Sequence, residues 1–103
     1  MARIIWTHPA LDDLDQIAEY IALDKVGPAK KLVQSVFKRV ELLADSPKSG
    51  RIPPELPKGQ VREVIVGPCR IFYRVVGQEV VILHVMRSER LLRLFMLDMR
   101  RGE

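Results

Sequence analysis

Arginine at positions 62, 70, 74, 87 and 90 punctuates a stretch otherwise rich in Val, Ile, Phe and Tyr, REVIVGPCRIFYRVVGQEVVILHVMRSER. A guanidinium carries a rigid fork of donors that matches carboxylate and phosphate oxygens, so such an array suits an anionic partner. To cut a nucleic acid the same array needs more. One group must activate a 2′-hydroxyl, another must stabilise the phosphorane charge, and an acid must protonate the leaving oxygen. Arg70 and Arg87 suit the second role. Tyr73 and His84 are the available acid–base groups, and no Tyr or His follows Arg87. Glu89, between Arg87 and Arg90, reads as a surface ion-pair partner rather than a base. Arg70, Arg87, Tyr73 and His84 are thus catalytic candidates that do not make a complete set.

Other chemistries have less behind them. His8, His84 and Cys69 do not fall at metal-ligand spacing. Gly67 and Gly77 serve turns rather than a phosphate loop. Cys69, alone beside a turn, reads as inert, and Met86, Met96 and Met99 read as apolar filling. Neither a metal nor a cofactor is expected.

The arginines converge only if strands hold them. Gly67-Pro68 and Gly77-Gln78 cut the stretch into three short strands. With Gly77-Gln78 as a two-residue loop, Val76 faces Glu79 and Arg70 faces Val85. Alternation then puts Arg70, Phe72, Arg74, Val81, Leu83, Val85 and Arg87 on one face. Ile71, Tyr73, Val75, Val80, Ile82, His84 and Met86 take the other. The second set is expected against helices, the first as an arginine-bearing surface with an apolar floor.

Upstream, Arg3 to Trp6 reads as a strand. Thr7 or His8 caps a helix with Pro9 in its first turn. Asp12, Asp13 and Asp15 suit its positive end, and Leu11, Leu14, Ile17, Ala18 and Ile21 form its apolar stripe. Gly27-Pro28 starts a second helix, striped by Ala29, Leu32, Val33, Val36, Phe37, Val40 and Leu43 and ended by Pro47. Residues 46–60, SPKSGRIPPELPKGQ, exclude helix and central strand through their prolines and glycines. A loop of that length in a small domain tends to be functional. The order β-α-α-β-β-β gives an α+β fold: a helical hairpin packed on one face of a small antiparallel sheet. Leu91 to Arg100 is apolar nearly all round and needs cover from the sheet or from a partner.

A chain of 103 residues supports one domain, 1–103. No apolar run approaches the roughly 18 residues of a membrane span, and the opening residues lack a signal peptide's apolar region. A single cysteine excludes an internal disulfide and fits a reducing compartment, so a cytoplasmic protein with no membrane partner is expected. The net charge of +4 belongs to the second half: residues 1–46 carry six Lys/Arg against seven Asp/Glu, residues 47–103 eleven against six. That asymmetry favours nucleic acid or an acidic protein segment as partner.

In order and spacing the chain resembles the RelE/ParE superfamily of toxins from type II toxin–antitoxin systems, and within it the ParE-like branch. The residues that carry the resemblance are Ile5-Trp6-Thr7, then Ala10, Asp13 and Leu14, and Gly50-Arg51. They continue with Arg62-Glu63-Val64, Gly67-Pro68, Arg70-Ile71-Phe72-Tyr73-Arg74-Val75 and Val81-Ile82-Leu83-His84-Val85. Cys69 departs from the pattern, standing where members commonly have an aromatic, and so does the apolar tail, which is more basic in many ParE-like members. The resemblance implies a toxin neutralised by a cognate antitoxin, the pair repressing its own promoter, so that operator DNA is reached through the antitoxin. Members either poison DNA gyrase or cut messenger RNA on the ribosome. A gyrase poison is the expectation, gripping its target through Arg62, Arg70, Arg74, Arg87 and Arg90. The alternatives are a ribosome-dependent endoribonuclease and a degenerate member that only binds antitoxin. The antitoxin is expected over Phe72, Leu83 and Val85, burying Leu92, Phe95 and Met96 as well.

Overall fold

The computed structural model describes residues 1–56 and 59–88. Its elements run β1 (Arg3–Trp6), α1 (His8–Ala22), α2 (Val26–Glu41), a 3-10 turn (Leu42–Ala44), β2 (Val61–Val66), β3 (Cys69–Val76) and β4 (Glu79–Arg87). Thr7 is the cap of α1: its hydroxyl accepts from the Ala10 amide at 3.3 Å and donates to the Ile82 carbonyl at 2.7 Å. The cap therefore also ties the helix to β4. Pro28 sits in the first turn of α2, where its missing N–H is not needed. The acidic residues of α1 lie beyond its first turn and do not serve the helix end as expected.

The sheet order is β1-β4-β3-β2. β2, β3 and β4 are antiparallel neighbours, whereas β1 lies parallel to β4, from Arg3 opposite Glu79 to Trp6 opposite Ile82. This corrects the all-antiparallel expectation. The helices and the loop carry the chain from β1 at one edge of the sheet to β2 at the other, so no hairpin turn dictates the direction of β1.

Leu14, Leu32, Val36, Val40 and Leu43 of the helical layer bury against Val64, Cys69, Ile71, Tyr73, Val80, Ile82 and Val85. Phe37 flanks this core, its ring tilted on Trp6 with centroids 4.8 Å apart. Cys69 is wholly buried, a core residue rather than the turn residue it seemed from sequence.

Both hairpin glycines take positive φ, 52° at Gly67 and 59° at Gly77, as two-residue loops require. The β3–β4 register starts as expected, Val76 opposite Glu79 and Tyr73 opposite Ile82. It then shifts between Phe72 and Tyr73, so that Phe72 faces His84, Ile71 faces Val85 and Arg70 faces Met86. One additional β4 residue exchanges the faces of everything after it. Val85 joins Ile71 in the helix-side core, and Met86 joins Phe72 on the other face. Arg87, now opposite the core residue Cys69, turns toward α1 rather than joining Arg70.

Candidate functional site

The arginines do not form one array. Arg70 and Arg74 share the face away from the helices, on β3. Arg62 lies opposite Tyr73 and so shares the helix side. Arg87 has crossed to that side through the bulge, and Arg90 lies outside the described residues. Two regions result, one closed and one open.

The closed region is centred on Arg70, only 6% exposed. Its Nε donates to Glu63 Oε1 at 2.8 Å, while Nη1 and Nη2 grip the two oxygens of Glu55 at 2.9 and 2.8 Å. Glu63, 1% exposed, also accepts from Arg51 Nε at 2.6 Å. Donation to the Glu55 carboxylate holds the Arg70 guanidinium above its ordinary pKa, outweighing the opposing effect of burial. The guanidinium carbon lies 4.9 Å from the Phe72 ring centre. Leu56 and Val61 pack against Phe72 and Met86, roofing the apolar floor expected to await a partner. A buried charge this well satisfied holds a loop in place, since removing either partner would strand the other without water.

On the helix side the same loop is anchored by Tyr73. Its hydroxyl accepts from the Gly50 amide at 2.9 Å and donates to the Pro47 carbonyl at 2.7 Å. Burial raises its pKa. Arg62 donates to the Gly50 carbonyl at 2.8 Å. A Cβ on Gly50 would stand 2.5 Å from the Tyr73 oxygen and 2.8 Å from the Glu63 carbonyl oxygen, so the close approach needs glycine. Arg62 and Tyr73 are thus spent on architecture.

The open region is a groove of about 420 Å³ between α1 and the end of β4, lined by Asp13, Gln16, Ile17, Tyr20, Val85, Met86 and Arg87. It exists because β1 pairs only as far as Ile82, leaving the rest of that β4 edge to α1. Asp13 closes the edge: one carboxylate oxygen accepts from the Val85 amide at 3.1 Å and sits 2.5 Å from His84 Nδ1. His84 is buried, and its Nε2 has no hydrogen-bond partner among the described residues. The Arg87 guanidinium lies over the Tyr20 ring, 5.2 Å from its centre. Tyr20 is 63% exposed, and Leu23 beyond it is 85% exposed.

The antitoxin candidates Phe72, Leu83 and Val85 are all buried within the chain, so none offers the open floor expected of it. Leu92, Phe95 and Met96 lie outside the described residues. Arg74, opposite Val61 and Val81, is half-buried at the margin of the closed face. Sequence reasoning missed Glu55 and Glu63 as the partners of Arg70, and Asp13 as the partner of His84. Among the described residues no cluster of three His, Cys, Asp or Glu side chains is placed to hold a metal. No helix among them is long and apolar enough to cross a membrane.

The chain is similar to known proteins in sequence and in fold. Y4kP of Sinorhizobium fredii, named as a candidate toxin, is 39% identical over 88 residues, 84% of this chain and 88% of its own length. Toxin RelE2 of Caulobacter vibrioides is 33% identical over 92 residues, 88% of this chain and 100% of its own length. The chromosomal ParDE toxin–antitoxin system of P. aeruginosa contains a chain that superposes with a TM-score of 0.71 at 34% identity, covering 86% of this chain and 98% of that one. The RelBE2 complex of Mycobacterium tuberculosis shares the fold, at 21% identity and a TM-score of 0.57 over 84% of this chain and 98% of its own. Residues 4–92 match the model of the ParE toxin of type II toxin–antitoxin systems, and the chain belongs to that family.

Proposed function

We propose that the protein is a ParE-like poison of DNA gyrase that acts in the cytoplasm by binding and not by catalysis, and that a cognate antitoxin neutralises it. The supporting observation is the locking of both acid–base candidates: the Tyr73 hydroxyl is used between Gly50 and Pro47, and His84 Nδ1 is held by Asp13. Among the described residues both side chains are buried rather than set at an open surface beside an arginine. A poison of this kind needs only to grip carboxylates or phosphates of its target, for which Arg87 at the open groove is suited. The family match and the ParDE neighbour support the same reading, and that neighbour is the reason an antitoxin partner is proposed. Operator DNA is then contacted through the antitoxin.

Ribosome-dependent cleavage of messenger RNA has one observation in its favour. Asp13 orients His84 in the way a carboxylate orients a general base, and RelE2 is among the relatives. Against it, the other imidazole nitrogen is enclosed in the protein. Expression in a susceptible bacterium separates the readings. Filamentation with DNA-damage signalling is expected. Immediate translation arrest would replace the proposal with the ribonuclease, and normal growth would mark a degenerate, non-toxic member.

A further inference from the structure

The closed face carries its own cover, and the way that cover is attached differs from the rest of the fold. Arg51 is bound into the sheet by both its amide and its carbonyl, opposite Glu63. Beyond it the backbone bonds turn local, Leu56 to Pro53 and Gly59 to Leu56. What seats residues 53–56 on the sheet is therefore side-chain chemistry: the Glu55 carboxylate on Arg70, and Leu56 on Phe72 and Met86. A recess of about 390 Å³, lined by Arg51, Pro54, Glu55, Ile65, Arg70 and Ser88, opens beside that contact.

We propose that the surface beneath Glu55 and Leu56, formed by Arg70, Phe72 and Met86, is a docking site for an acidic–aliphatic pair on an extended segment of the antitoxin. Residues 53–56 occupy it until that segment arrives. The inference rests on the antitoxin reading above and specifies its chemistry. Glu63 stays on Nε, but lifting Glu55 takes its two oxygens from Nη1 and Nη2 of a buried guanidinium, so whatever replaces Glu55 is expected to bring a carboxylate of its own. The Leu56 seat, floored by an aromatic ring and a methionine, asks for an aliphatic side chain next to it. An incoming Glu or Asp followed by Leu, Ile or Val exchanges one ion pair and one apolar contact for equivalents, and the recess supplies the approach. Binding must first lift the resident pair, which lowers the apparent affinity by the fraction of molecules already open.

The full-length toxin, titrated with its cognate antitoxin, tests this. Glu55→Gln weakens the resident plug and is expected to tighten apparent binding about tenfold. Glu41→Gln, an equal charge change on the exposed side of α2, is expected to leave binding unchanged. A folded Glu55→Gln variant with unchanged or weaker binding overturns the proposal, as does equal tightening by Glu41→Gln. Should Glu55→Gln fail to fold, Leu56→Cys decides. Its thiol is expected to react slowly with a maleimide in the free toxin and about tenfold faster in the complex. Buried Cys69 provides the slow background. A thiol that stays protected in a formed complex overturns the docking site alone. If no complex forms, the antitoxin reading falls and the docking site with it.

Discussion

The Arg70 face and the α1–β4 groove are built from similar residues and end in opposite states. Each combines arginine, acid and apolar side chains from more than one element of the fold. On the Arg70 face the buried charges Arg70 and Glu63 are answered inside the chain, by each other and by Glu55 and Arg51, and the apolar floor is roofed by Leu56. In the groove Asp13 is drawn inward to the β4 edge, while Tyr20 and Arg87 remain at the opening. Arginine in a strand is therefore not in itself a binding signal. What separates the two is depth: Arg70 is 6% exposed beneath the loop and gripped by Glu55, whereas Arg87 is half-buried at the rim of a groove.

That contrast predicts unequal costs. Glu63→Ala should be the most damaging change, about 3–5 kcal/mol, because it takes the Nε partner from buried Arg70 and the carboxylate from Arg51. Equilibrium denaturation measures it, and a loss below about 1 kcal/mol would mean that water reaches the closed face. Tyr73→Phe should cost less, about 1–3 kcal/mol, by orphaning the Gly50 amide and the Pro47 carbonyl. Its pH dependence has a definite sign. Burial raises the Tyr73 pKa, so the folded state keeps a proton that the unfolded chain releases near pH 10. The resulting stabilisation is complete below about pH 10 and is lost as pH rises through the folded-state value. Urea titrations between about pH 8 and 11 should show this alkaline loss in the parent and a shallower one in Tyr73→Phe. Identical slopes would remove Tyr73 from the alkaline transition.

Much of this architecture was legible in the sequence, for local reasons. The stripes of α1 and α2, the Thr7 cap and both glycine turns follow from spacing and backbone chemistry within a few residues. A two-residue loop at Gly67-Pro68 sets Arg62 opposite Tyr73 and puts Cys69 in the ladder, so grouping Arg62 with Arg70 and Cys69 with the turn overlooks a signal the sequence carries. The bulge was not legible. It adds one residue to β4 without a glycine or proline to mark it, and that residue moves Val85 and Arg87 to the helix side. The partners of the charged groups were hidden for a different reason. Asp13 and His84 stand 71 residues apart, and Glu55 and Arg70 stand 15 apart across an irregular loop, so no periodicity links them. Glu63 did leave a trace: a carboxylate inside the apolar run of REVIV is an anomaly that an internal cation resolves.

If the open groove is where the toxin grips its target, Arg87→Ala should cost the fold little, below about 1 kcal/mol, and cost toxicity most of its strength. The decisive assay is supercoiling by purified DNA gyrase, run with the parent and with Arg87→Ala, beside translation of a reporter message on purified ribosomes. The expected result is inhibition of gyrase by the parent, its loss in a variant of near-parental melting temperature, and intact message throughout. Message cut by the parent while gyrase is untouched, or an Arg87→Ala variant that poisons gyrase as the parent does, would contradict it.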